Sequence, residues 1–258
     1  MQVRVLLGAP FNRRQMNNTF ELKIIESPTE SDKVFWHGYL DFYENFFKGR
    51  SFPVIAEFGL FKGDSIRWLL HRFPEARIYG ADILPPQSSW PIDDRVSYFR
   101  LDQENIPEIR EFLSQNKFDL IIEDGSHIPK HQVQCLIEGM RVLNSGGIYI
   151  LEDIHTSMRD QNGSNALNIL LAIDHYKRIN KKIDSNISEK ISKHSFFSPE
   201  QVLELANSIK KLSLYRRNHL PNRCYNCSSE EFDYASFQCI CGVEVFGVDS
   251  MSFVIEKT

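Results

Sequence analysis

Two short stretches concentrate the residues that could do chemistry. Residues 118–127 read FDLIIEDGSH, and residues 149–155 read YILEDIH. Each is an apolar run that ends abruptly in carboxylates and a histidine: Glu123, Asp124 and His127 in the first, Glu152, Asp153 and His155 in the second. Carboxylates that converge without basic partners repel one another. A hard divalent cation with oxygen ligands, Mg²⁺ above all, relieves that repulsion. Such a metal can hold two vicinal hydroxyls of a substrate and lower the pKa of one. A histidine three residues after Asp124 is then placed to take the proton as general base. Asp124, Glu152 and Asp153 are therefore the candidate metal ligands and His127 the candidate base. His155 reads as a loop or supporting residue, and His37 and His131 as structural or surface residues. Taken singly, either stretch is also what an ordinary solvated strand end looks like.

These residues need a scaffold that brings two strand ends together. A βα alternation supplies one. VIAEF (54–58), ARIYGADI (76–83), VSYFRLD (96–102), FDLIIED (118–124) and GIYILEDI (147–154) read as five strands. GDSIRWLLHRF (63–73), IPEIREFLSQN (106–116) and PKHQVQCLIEGMRVL (129–143) read as the helices between them. Such alternation implies a parallel sheet covered on both faces. Before it, SDKVFWHGYLDFYENFF (31–47) reads as an amphipathic helix. After it, 163–182 reads as a helix, KKIDSNISEKISKH (181–194) as a polar covering loop, and SPEQVLELANSI (198–209) as a capped helix. The ending VEVFGVDSMSFVIEKT (243–258) reads as two short strands joined around Asp249–Ser250.

Sheets of this kind bind ligands at the carboxyl ends of their strands. The first strand end, EFGLFKGDS (57–65), has Gly59 and Gly63 flanking a turn into a helix that begins near Ser65. Glu57 beside that turn disfavours a phosphate ligand and suits a cationic one. The second strand ends at Asp82, a carboxylate that can accept ribose hydroxyls. The third ends at Asp102–Gln103, a polar pair placed to read an adenine amine. Glu57, Gly59, Gly63, Ser65, Asp82, Asp102 and Gln103 are thus the candidate cofactor residues. Their pattern looks like the S-adenosylmethionine site of class I methyltransferases.

DKxxxHGYxxxY (32–43), EFGLFKGDS, GADI, LDQ, IEDGSH and GGIYILEDIHTS occur in one order. In that order they resemble the metal-dependent sugar O-methyltransferases of macrolide biosynthesis and the related cephalosporin-pathway methyltransferases. The resemblance covers roughly residues 30–157 and the ending FGVDSMSFVIEK. It implies a Rossmann-like, seven-stranded class I methyltransferase sheet with helices on both faces and a last antiparallel strand inserted beside the parallel ones. It implies a Mg²⁺- and S-adenosylmethionine-dependent O-methyltransferase acting on a sugar hydroxyl of a natural product, with metal ligands Asp124, Glu152 and Asp153 and base His127. Residues 158–240 match poorly, and acceptor choice would be set there. A catechol-like diol as acceptor is the second enzymatic reading. A non-catalytic cofactor-binding scaffold is the third.

The organisation that follows is an N-terminal helical or lid segment, 1–50, and a methyltransferase domain, 51–258. Within the latter, 220–242 stands out. Cys224, Cys227, Cys239 and Cys241 fall close together as CxxC and CxC pairs, spaced for a tetrahedral structural zinc site in a small insertion. Four reduced cysteines in a surface hairpin is the alternative, and in the scaffold reading this module would dock a partner. Cys135 sits at an apolar helical position and reads as core. A net charge of −4 argues against general nucleic-acid binding, and no run approaches a membrane span. The first residues lack the layout of a signal peptide, so the expected location is cytoplasmic. A homo-oligomer is compatible with the aromatic-rich segment 34–47.

Overall fold

The computed structural model describes residues 31–158, 165–247 and 249–258. Most of the expected N-terminal segment, residues 1–30, lies outside the described residues, as do the first two residues of the helix expected from 163. The described chain begins with two short helices, α1 (Asp32–Phe35) and α2 (Tyr39–Phe47). Sequence periodicity suggested one helix here. Gly38 divides it, because its φ of +68° is left-handed and ends the first turn. Then follow β1 (Val54–Phe58), α3 (Asp64–Arg72), β2 (Arg77–Asp82), β3 (Val96–Arg100), α4 (Ile106–Leu113), β4 (Phe118–Glu123), α5 (Pro129–Val142) and β5 (Leu143–Leu151). All lie within a few residues of the sequence expectation.

The second half departs from it twice. The polar stretch expected as a loop contains a helix, α7 (Ser185–Ser192), between α6 (Ala166–Arg178) and α8 (Pro199–Ser208). Asp184 caps α7 by accepting from the Ile187 amide at 2.9 Å, and only Ile187 and Ile191 carry its apolar contact to the core. So few apolar positions leave little periodicity to read. The closing region holds one strand of the main sheet, β9 (Met251–Lys257), rather than two. Its antiparallel partner is β6 (Ile209–Arg216), an edge strand that buries only Ile209 and Leu212 and so reads as polar. The stretch expected as the other strand contributes a single bridge, Glu244 to Gln238, to a small hairpin of β7 (Phe232–Asp233) and β8 (Gln238–Cys239).

The main sheet runs β3-β2-β1-β4-β5-β9-β6. Strands β1 to β5 are parallel, and β9 inserts antiparallel between β5 and β6. Each strand alternates its side chains between two packed faces. Leu120, Ile122, Ile150 and Val254 meet α2 and α3 through Tyr39, Tyr43, Phe47, Ile66 and Leu69. Ile121, Phe58, Leu151 and Phe253 meet α4, α5, α6 and α8. No described helix is long and apolar enough to cross a membrane.

The register positions the site. Phe99, Ala81, Phe58, Glu123, Leu151, Phe253 and Leu214 form one row across all seven strands. In the parallel strands the next residues are therefore Arg100, Asp82, Gly59, Asp124 and Glu152, side by side at the carboxyl edge. The Asp124 amide donates to the Phe58 carbonyl at 2.9 Å, and the Glu152 amide to the Glu123 carbonyl at 2.9 Å. This edge fits only if Gly59 stays a glycine. Its φ is +83°, and a Cβ there would lie 1.9 Å from the Asp124 carbonyl oxygen. Gly59→Ala is expected to cost on the order of 2–4 kcal/mol, combining backbone strain with displacement of the β4 end. Urea unfolding of the variant measures it.

Candidate active site

On the face of the sheet toward α2, Glu57, Asp124 and Glu152 converge on a single cation. That cation is Lys33, carried in by α1 and 3% exposed. Its ammonium donates to Asp124 Oδ2 and to Glu152 Oε2 at 2.6 Å, and lies 3.9 Å from Glu57 Oε1. Burial opposes its charge, yet Asp124, Glu152 and Glu57 together raise the Lys33 pKa well above its ordinary value. One ammonium does not balance this many carboxylates. Burial pushes Glu57 up to about 7, against the pull of Lys33, and raises Asp124 and Glu152 as well. Among the described residues, Glu152 Oε1 is buried without a hydrogen-bond partner, and Glu57 has Ser65 beside it and no cation closer than Lys33 at 3.9 Å. The cluster is short of positive charge and of donors.

Asp153 closes the site from the other side. Tyr39, at the start of α2, donates its hydroxyl to Asp153 Oδ1 at 2.6 Å. Around the same carboxylate stand His127 Nε2 at 3.7 Å, and His37 Nδ1 and His155 Nδ1 each at 3.8 Å. Burial alone would raise the Asp153 pKa. His37, His127, the Tyr39 hydrogen bond and His155 outweigh it and hold the carboxyl below its ordinary value. His127 Nε2 also lies 3.9 Å from Asp124 Oδ1. One donor atom each from Asp124, His127 and Asp153 falls within 4.8 Å of the others, close enough to share one metal ion. Glu152, expected as a third carboxylate ligand, is outside this group and is turned to Lys33, and His127 stands beside the two aspartates. His127 and Asp153 both adopt left-handed backbone, with φ of +54° and +49°. Such strain in residues other than glycine persists where surrounding structure enforces it. Here the Thr156 hydroxyl donates to the His127 carbonyl at 2.8 Å and ties the two strand ends together.

The expected cofactor residues divide. Gly59 and Gly63 make the turn into α3, with Gly63 at φ +80° as its N-cap, and Ser65 is buried in the first turn beside Glu57. The Asp82 carboxylate accepts from the Leu60 amide at 2.7 Å, the Phe61 amide at 3.3 Å and the Leu84 amide at 2.8 Å. It fixes the glycine turn in place. Asp102 is partly exposed and lines an open depression with Glu104, Asn105, Ile106 and Pro107. Gln103, expected beside it as a reader of adenine, points inward instead. Its amide donates to Glu123 Oε1 at 2.7 Å, and its carbonyl accepts from the Ser126 amide at 2.6 Å. A Cβ on Gly125 would collide with Gln103 at 2.2 Å, so the glycine of EDGSH makes room for this brace.

Several participants escaped sequence reasoning. Lys33, Tyr39 and His37 belong to the DKxxxHGYxxxY stretch, which carried the resemblance without assigned roles. His37, taken as structural or surface, hydrogen-bonds Ser250 Oγ at 2.8 Å and stacks on Tyr39 with ring centroids 4.7 Å apart. His131 does have a structural part, pairing with Ser126 Oγ at 3.0 Å.

Comparison with known proteins agrees with this architecture. No protein-family model matches the chain. The MycE methyltransferase of the mycinamycin biosynthetic pathway, solved in complex with Mg and SAH, superimposes with a TM-score of 0.56 at 22% identity, covering 73% of this chain and 49% of that one. The fold is that of a class I methyltransferase. In sequence, the chain is 29% identical over 132 residues to the 8-demethyl-8-(2-methoxy-alpha-L-rhamnosyl)-tetracenomycin-C 3'-O-methyltransferase of Streptomyces olivaceus, covering 47% of this chain and 33% of that protein. It is 32% identical over 138 residues to the 8-demethyl-8-alpha-L-rhamnosyl tetracenomycin-C 2'-O-methyltransferase of the same organism, covering 49% and 36%. The chain thus spans about a third of the length of these curated relatives and about half of the solved methyltransferase.

Two expectations follow from the electrostatics. Lys33→Met leaves three carboxylates facing one another without their cation. Its unfolding free energy should fall by about 3–5 kcal/mol in metal-free buffer, measured by urea titration. Burial raises Glu123 to about 7 on the opposite face of β4. The folded protein therefore keeps a proton that the unfolded chain releases. That stabilisation is complete below the usual carboxylate range and is lost as pH rises through about 7. The unfolding midpoint should drop between pH ~5 and ~8, and Glu123→Gln should flatten part of that drop.

Proposed function

We propose that this chain carries out S-adenosylmethionine-dependent methylation of a hydroxyl on a sugar or glycosylated natural product, with Mg²⁺ as second cofactor. The observation that carries the reading is the meeting of Asp124, His127 and Asp153 donor atoms within 4.8 Å at the carboxyl edge of a methyltransferase-type sheet. The curated relatives quoted above are named as O-methyltransferases of rhamnosylated tetracenomycins, which supports a sugar hydroxyl as acceptor.

The residues fit both cofactors. Glu57, buried beside the Gly59 turn with only one distant cation, suits a cationic ligand. S-adenosylmethionine offers an ammonium and a sulfonium and no phosphate, and it supplies the methyl group when bound. Asp102, partly exposed two residues beyond β3, would contact the adenine side of the cofactor. Asp124 and Asp153 would hold Mg²⁺, with Glu152 joined to Asp124 through Lys33. When bound, the ion would orient vicinal hydroxyls and lower the pKa of one. The chain's own residues handle the proton. His127 Nε2 receives it from the acceptor hydroxyl as general base. Asp124 and Asp153, at 3.9 and 3.7 Å, stabilise the imidazolium that results. Tyr39 and His37 fix Asp153, and Lys33 fixes Asp124, so the base and the ligands are set before substrate arrives.

Calorimetry tests the cofactor: S-adenosylmethionine should bind at micromolar concentration, and failure to bind refutes the class. His127→Ala should lower methyl transfer by roughly 10²–10⁴-fold without weakening cofactor binding. Asp124→Asn should lower it at least as far and abolish its dependence on Mg²⁺. Full transfer by both variants would refute the mechanism. A glycosylated acceptor should be methylated in preference to its aglycone and to a simple catechol.

A further inference from the structure

Cys224, Cys227, Cys239 and Cys241 lie in the module at 220–247, which packs against Phe35 and Trp36 at the end of α1. None is in a disulfide. Their sulfurs all lie within 4.8 Å of one another, with Cys227 to Cys239 at 3.3 Å and Cys224 to Cys241 at 3.6 Å. Zinc bound tetrahedrally at about 2.3 Å per sulfur sets its ligands about 3.8 Å apart. Each pair also sits on a turn closed by the backbone. The Ser228 amide donates to the Cys224 carbonyl at 2.9 Å, and the Gly242 amide to the Cys239 carbonyl at 2.8 Å. Both turns use left-handed backbone, Ser228 at φ +59° and Gly242 at φ +84°.

Among the described residues the module has little else to hold it. Its apolar cluster consists of Trp36, Cys224, Cys239 and Val245, with four half-buried neighbours. Tyr225, Tyr234 and Ile240 are 57%, 69% and 80% exposed. A segment this poor in core needs a staple. What it grips is α1, a single helical turn with no stability of its own. The Asn222 amide donates to the Phe35 carbonyl at 2.8 Å. Arg217, 5% exposed, donates to the carbonyls of Trp36 at 3.0 Å and Val245 at 3.1 Å and to Asp249 at 2.8 Å. Tyr225 packs edge-on against Trp36 with centroids 4.7 Å apart.

We propose that Cys224, Cys227, Cys239 and Cys241 bind a structural Zn²⁺ that clamps this module onto α1 and thereby positions Lys33 among Asp124, Glu152 and Glu57. The zinc takes no part in the chemistry, since four thiolates leave it no open position. The clamp stands independently of the methyl-transfer reading, because neither of its readouts uses turnover.

Elemental analysis of the whole chain, purified without chelator from zinc-containing medium, should give one zinc per chain. The double variant Cys227→Ser/Cys241→Ser changes only exposed ligands and should lose it. Hydrogen exchange should then show residues 31–39 losing at least tenfold in protection while β1 and β4 stay protected. Should the variant fail to fold, stripping zinc from the wild-type chain with a chelator and restoring it makes the same measurement reversibly. A zinc-free protein with all four thiols reactive overturns the site. Bound zinc whose removal leaves 31–39 equally protected overturns the clamp.

Discussion

The structure turns on one buried ion cluster. Lys33 places a single ammonium against Glu57 and Glu152, which are shut off from water, and against the partly exposed Asp124. Charges so placed interact far more strongly than on a surface, and each depends on the others for its ionisation. The lysine comes from a four-residue helix near the start of the described chain. The carboxylates come from three strand ends. The cluster therefore exists only when α1 is seated, the sheet is in register and the strand ends stop where they do. It links the N-terminal segment, the parallel sheet and, through α1, the cysteine module.

The two faces of β4 divide the labour at this point. Glu123 turns toward α5 and is braced by Gln103, which also holds the Ser126 amide. Asp124 turns the other way, toward Lys33 and His127. Gln103 therefore fixes the loop that carries the histidine without facing the ligand itself. The same logic applies to Asp82, whose hydrogen bonds shape the Gly59–Gly63 turn. Residues at a strand end thus also act as the rigid supports that a preformed site requires.

The parallel half of the fold was legible because buried parallel strands are near-continuous apolar runs, each closed by a glycine or an acid. VIAEFG, YGAD and LIIED needed no tertiary context. The edge strand β6 and the helix α7 were not legible, since each buries too few residues to impose a period. In the site, Asp124, His127 and Asp153 could be named because their strand ends adjoin in any sheet of this order. Lys33 could not. Its partners lie 91 and 119 residues away, and no local pattern distinguishes a lysine that will be buried from one that will be solvated. Gln103 was misread for the same reason, as periodicity does not tell which way the residue after a strand will turn.

The single row that crosses all seven strands at Glu123 has a consequence for how such a protein can change. Neighbouring residues on β4 serve opposite faces, so one inserted or deleted residue before Glu123 would exchange the brace for the reactive carboxylate. The strands are in effect closed to changes in length. The stretches between α6 and β6, and the exposed turns of the cysteine hairpin, carry no such phase relation. Lineages can lengthen them, outside the two cysteine pairs, without shifting the register of the strand ends. Variation in what the protein recognises should therefore accumulate in the second half of the chain, while the first half keeps its spacing to the residue.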